Sequence, residues 1–257
     1  MKTLIALLKT DLYRALLSLN FVISIVFTMF VMFISCSGYI SNTSDVFSLL
    51  SHALTGSGST IFILFIAPIL PYAVSFASDL EDKALTFWVI RTGASKYAIS
   101  KFLSSVIAGF FSVASSMIVF SLIMLIFFPL SDGYIGDQSG YGILLKNNQP
   151  WMYILVLTVH YSLSGALFAG MALTISTFVP NKFSTMAAPI VIYFVLMRLT
   201  TEAPIPNFFK PSFLIEGIYS DVSPATAFLY KLIPVVAILG LLLYITINQI
   251  KKRIEKS

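Results

Sequence analysis

Apolar residues along this chain run in long blocks rather than recurring at a helix or strand period. Six stretches are almost wholly apolar, over 19–39, 59–77, 102–128, 151–178, 183–200 and 227–248. A helix that crosses the hydrocarbon core needs about 20 mainly apolar residues, because a rise of about 1.5 Å per residue must cover about 30 Å. In lipid, a helix also satisfies every backbone amide within its own segment. The pattern therefore predicts an all-α membrane protein of six transmembrane helices, forming a single domain over 1–257. The only charges in the blocks, Arg198 and Lys231, stand near block edges. The third and fourth blocks are long enough to tilt or to protrude from the membrane. The first is expected to be a retained span. Ile34-Ser35-Cys36 is a poor cleavage site with Phe33 before it, and the polar lead-in is too long for a signal peptide.

Prolines punctuate the blocks at Pro68 and Pro71, Pro189 and Pro234. Each removes a helix hydrogen bond and favours a kink. The fourth block carries Ser164, Gly165, Ala166, Ala169, Gly170 and Ala172, small residues that let helices approach closely. They fit a moving bundle or a subunit seam as well as ordinary tight packing.

The segments between blocks have their own patterns. Residues 1–17 place Leu4, Leu7, Leu8, Leu16 and Leu17 near one stripe, with Lys2, Lys9, Asp11 and Arg14 off it. A basic amphipathic helix just before a span is expected to lie on the inner leaflet. Between the second and third blocks, Asp79, Glu81 and Asp82 open a segment in which Leu85, Trp88 and Val89 form an i, i+3, i+4 stripe and Gly93 supplies a stop. Acidic residues suit a helix N-terminus and glycine suits its end. A short helix is predicted there, its apolar face either docking a soluble partner or packing on its own bundle. The stretches 129–150 and 201–226 read as loops. The latter has apolar patches at Phe208-Phe209 and Phe213-Leu214-Ile215 that could dip back into the interface.

Composition agrees with the blocks. The chain is 58% hydrophobic and 11% charged, with mean hydropathy +0.92. Soluble domains are about 45–50% apolar and about 25% charged. The net charge of +5 lies beside apolar segments, which suits lipid headgroups and topology signals rather than nucleic acid. With both termini inside, twelve of the 16 Lys and Arg fall in inner segments, Lys9, Arg14, Lys96 and Lys101 among them at the membrane interface. Four fall outside: Lys146, Arg198, Lys210 and Lys231. Both termini are therefore expected to be cytoplasmic. Tyr134, Tyr141, Trp151 and Tyr153 then lie at the outer boundary, where interfacial aromatics belong. The single cysteine, Cys36, cannot form an internal disulfide and reads as a small buried hydrophobe.

Catalytic patterns are missing. No phosphate-binding loop is present; Gly56-Ser57-Gly58-Ser59-Thr60 is glycine-dense but lacks the lysine. His160 is the one clear ionisable residue deep in a block, a possible intramembrane polar site or a packing residue. The only other histidine is His52, so no zinc-protease motif exists. No enzymatic activity, metal or cofactor is expected in this chain.

Residues 81–101 resemble the loop after the second span of ABC-2-type transporter permeases. Glu81 and Asp82 take the family's acidic positions, Lys83 the basic one, Trp88-Val89-Ile90 the aliphatic run, Ser95-Lys96 the Ser-Arg pair, and Lys101 the lysine that opens the third span. Ala84-Leu85, Thr92-Gly93-Ala94 and Ser100 replace the family's Gly-Thr, Ser-Pro-Val and Gly. The amphipathic start, six spans and extended outer segment before the last span are also similar to that family. The resemblance implies a permease of a bacterial plasma-membrane exporter. It would pair with a second permease, as homo- or heterodimer, and with cytoplasmic ATPase subunits that bind ATP and Mg. The loop would be a coupling helix acting through Asp79, Glu81, Asp82, Leu85, Trp88, Val89 and Arg91. A hydrophobic or amphipathic peptide of antimicrobial type, or a small apolar compound, is the implied substrate, in export or immunity. An ATPase-independent carrier and a non-transporting scaffold or sensor are the competing classes.

Overall fold

The structure, a computed structural model, describes residues 2–41, 44–55, 58–130, 139–220 and 222–255. Tyr134, Asp132 and Asp137, the Gly56-Ser57 pair, Asp221, Lys256 and the Phe208 side chain lie outside that description. The described residues contain no strand, only an isolated bridge between Ser139 and Ser220. In chain order the α-helices are α1 (Lys2–Leu16), α2 (Leu19–Cys36), α3 (Val46–Thr55), α4 (Ser75–Glu81), α5 (Ala84–Thr92), α6 (Ala94–Phe127), α7 (Gly142–Lys146), α8 (Pro150–Phe178), α9 (Lys182–Thr200), α10 (Pro211–Ile215) and α11 (Pro224–Glu255).

Among the described residues, five helices are long and apolar enough to cross a membrane: α2 with the turn that extends it to Tyr39, α6, α8, α9 and α11. The stretch 59–77 is not a continuous helix. It runs as a π-helical turn (Ile61–Ile66), a 3₁₀ turn (Ala67–Ile69) and further turns into α4. Proline chemistry explains the break. Pro71 has no N–H to offer the Ala67 carbonyl, so that carbonyl instead accepts from the Leu70 amide at 3.2 Å and the Ser24 hydroxyl at 2.7 Å. The serine ties α2 to the broken segment where its own ladder fails.

Central α8 is buried along most of its apolar length, whereas most of the apolar length of α2, α9 and α11 is exposed or half-buried. Its small residues serve packing within this chain. A Cβ on Gly109 would meet the Ala169 Cβ at 2.5 Å, the Gly165 carbonyl at 2.9 Å and the Pro68 carbonyl at 3.2 Å. There α6, α8 and the broken segment touch backbone to backbone, and Ser105 donates to the Ala169 carbonyl at 3.1 Å. Beside this crossing Phe65 stacks on Phe168 at 4.2 Å, with Tyr193 against both.

One end of the bundle carries both terminal helices. Lys96 Nζ reaches the Thr3 hydroxyl, Arg253 donates to the Thr177 and Phe178 carbonyls, and Ile250 packs with Phe76, Leu85 and Tyr97. The opposite end carries α3, α7 and α10. Their connections meet where the Val46 amide donates to the Pro129 carbonyl and the Gly140 amide to the Tyr219 carbonyl.

Candidate functional site

At the terminal end the chain turns sharply through Lys83, whose φ of 55° is left-handed. Gly93, at φ 83°, breaks α5 from α6. Between these two positions α5 is a separate short helix. Its Leu85, Trp88 and Val89 stripe faces inward, against Phe76, Tyr97, Phe102, Leu173 and Ile250 from α4, α6, α8 and α11. The predicted apolar face therefore rests on the bundle. A different pair is exposed: Phe87 at 55% and Ile90 at 79%, flanked by exposed Arg91, whose guanidinium lies 5.1 Å from the Phe87 ring centroid. The spacing assigned the inward side of this amphipathic turn and missed the outward one, although Phe87 and Ile90 stand at i, i+3.

Beside α5 lies a buried ion cluster that the sequence did not disclose. Lys101 Nζ is 2.8 Å from Asp79 Oδ2 and 3.7 Å from Asp11 Oδ1. Tyr97 donates to Asp79 at 2.6 Å, Tyr72 to Asp11 at 2.5 Å and Ser100 to Asp11 at 2.6 Å. Lys101 also donates to the Tyr72 oxygen at 3.0 Å. Two expectations change. Lys101 is a buried partner of two carboxylates rather than an interfacial cation, and Asp79 is engaged inside the bundle rather than on a docking face. Asp11 likewise leaves the polar side of α1: Leu7, Asp11 and Ala15 form the buried face of that helix. Ile5 and Tyr13 remain exposed on α1, and Leu17 just after it, as do Lys9 and Arg14.

Glu81 and Asp82 are exposed. Glu81 pairs with Lys182 of α9 at 2.7 Å, both about half exposed. Such a surface pair contributes about 0–1 kcal/mol. Lys96 is exposed apart from its bond to Thr3.

A second buried polar group forms at the far end. His160 Nδ1 is 3.0 Å from the Tyr141 hydroxyl, and its Nε2 makes no hydrogen bond. Burial pushes the Tyr141 phenol up, so it keeps its proton. Lys231 donates to the Ser164 hydroxyl at 2.7 Å, to the Ile215 carbonyl at 3.0 Å and to the Leu214 carbonyl. Ser164 in turn donates to the Ile215 carbonyl at 2.7 Å, and Tyr193 donates to Glu216 at 2.9 Å. These bonds tie the end of α10 to α8, α9 and α11. Cys36 is buried and free. Among the described residues no group of three or more His, Cys, Asp or Glu side chains is placed to hold a metal ion.

Compared with known proteins, the chain matches no family model, no curated protein and no solved structure.

Proposed function

We propose that this chain is the membrane-spanning subunit of an ATP-driven exporter of the ABC-2 type, with α5 as the element that receives force from a cytoplasmic ATPase. The carrying observation is the construction of α5. It is a short helix isolated by Lys83 and Gly93, packed on α4 and α6 in an apolar cluster that α8 and α11 share, and presenting Phe87, Ile90 and Arg91 on its other side. A push on the outer face reaches α4 and α6 directly, and α8 and α11 through the shared cluster. Contact with the ATPase then belongs to Phe87, Ile90, Arg91 and Asp82, while Leu85, Trp88 and Val89 transmit it inward.

In this reading the broken segment 59–81 is a sixth crossing. Support comes from the two terminal helices meeting at one end of the bundle, which an odd number of crossings would not allow. The twelve-to-four distribution of Lys and Arg supports a cytoplasmic terminal end in a bacterial plasma membrane. The exposed apolar side of α1 suits the inner leaflet. The apolar exposure of α2 and α9 suits lipid and a second permease. Peptide or other amphipathic cargo, in export or immunity, is proposed from the same resemblance.

A carrier reading also has an observation in its favour, the buried His160 and Lys231 near α10. Mild-detergent purification of the tagged chain from its own cells separates the two. A stoichiometric ATPase subunit is expected, and Ile90→Asp is expected to lower its recovery about tenfold, as loss of a central apolar contact does. Absence of any ATPase from well-folded, abundant protein would overturn the exporter reading.

A further inference from the structure

On the outer surface of the bundle, α6 and α8 leave a recess of about 450 Å³, within the range of ligand sites. Phe110, Phe111 and Ile118 of α6 and Trp151 and Leu155 of α8 line it. Its lining is apolar except for two hydroxyls, Ser121 and Thr158. Both residues are almost fully buried, at 3% and 4% exposure, and neither hydroxyl has a hydrogen-bond partner. Among the described residues the Ser75, Ser104 and Tyr219 hydroxyls are also unpaired, but none of them lines this recess. Ser116, Ser162 and Thr174 each bond the carbonyl one turn back, the ordinary solution for a hydroxyl in a buried helix. An unpaired buried hydroxyl carries a cost that a ligand can relieve.

We infer that this recess binds one acyl chain of a membrane glycerolipid, with the lipid's ester group seated on the Ser121 and Thr158 hydroxyls. Depth supports the register. Ser121 and Thr158 stand six and eight residues, about 9 and 12 Å, inside the outer ends of α6 and α8. The two hydroxyls therefore sit within about two turns of the outer hydrocarbon boundary, in the outer leaflet, on the side from which an ester group enters. From there to Phe110 is about 16 Å, close to one leaflet. Trp151 stands at the mouth, and exposed Lys146 lies just beyond it at headgroup level, suiting an anionic lipid. The inference uses the membrane placement proposed above and not the ATPase, so failure of ATPase recruitment leaves its test intact.

The test is fluorescence of Trp151, left as the sole tryptophan by Trp88→Phe, in bilayers containing increasing fractions of dibrominated phosphatidylglycerol. Saturable quenching is expected. Removing both hydroxyls by Ser121→Ala and Thr158→Val should raise the half-saturating lipid fraction about fivefold, the effect of one net hydrogen bond. Filling the recess by Ala114→Phe should abolish the saturable part. Quenching that merely tracks the bulk brominated fraction would overturn the site. Equal saturation with and without the hydroxyls would overturn the seating of the ester.

Discussion

Lys101 and Lys231 are both nearly fully buried, at 2% and 3% exposure, yet they are accommodated differently. At the terminal end Lys101 faces two carboxylates, themselves held by two tyrosines and a serine. At the far end the Lys231 ammonium is held by a serine hydroxyl and two backbone carbonyls. The first arrangement balances charge between segments far apart in sequence and fixes α1 to α4 and α6. The second uses a cation to satisfy carbonyls at the end of a five-residue helix, which lacks the length to satisfy them itself. One is a tie between helices; the other is a cap on a loop.

The contrast predicts an order of effects, read as shifts in detergent thermal stability of the full chain. Lys101→Met strands two buried carboxylates and should cost most, about 3–5 kcal/mol. Adding Asp79→Asn should restore part of that loss, since it removes one stranded charge. Lys231→Met leaves only neutral acceptors unpaired and should cost about 1–3 kcal/mol. If the two lysine variants fall in the reverse order, the assignment of tie and cap is wrong. Ser164→Ala removes one bonded hydroxyll from the cap and should cost about 1 kcal/mol, with Lys231 still bonded to the two carbonyls. Glu81→Gln, at the exposed pair with Lys182, should change stability by less than about 1 kcal/mol. A larger loss there would mean that the terminal end is braced from outside as well as from within.

The long helices were legible because nothing but a bilayer explains blocks of 18 or more apolar residues. The small residues of α8 were legible as a close-packing face. Pro68 and Pro71 were visible as kinks, but the Ser24 hydroxyl that takes up the Ala67 carbonyl lies 43 residues away from it. The ion cluster was hidden for the same reason. Asp11 finds Tyr72 and Ser100 at separations of 61 and 89 residues, beyond any local pattern. A trace of it was present: Leu7, Asp11 and Ala15 recur at i, i+4, i+8, and the small Ala15 marks a helix face in close contact. His160 was legible as buried, while its partner Tyr141 was placed only at the membrane boundary. The stripe on α5 gave its orientation once the bundle was present to receive it.

The backbone contact of Gly109 with Gly165 and Pro68 has a mechanical consequence. Helices joined so closely at one point resist sliding there, so rotation about that point is their easiest relative motion. Gly109 stands about 22 Å from the start of α6 and about 27 Å from its end, at about 1.5 Å per residue. Spin-label distances between α6 and α8 at the two ends should therefore change in opposite senses, and changes of the same sense would rule the motion out. With arms so nearly equal, α6 behaves as a balanced lever, handing the far end a reversed displacement slightly larger than the one applied beside α5.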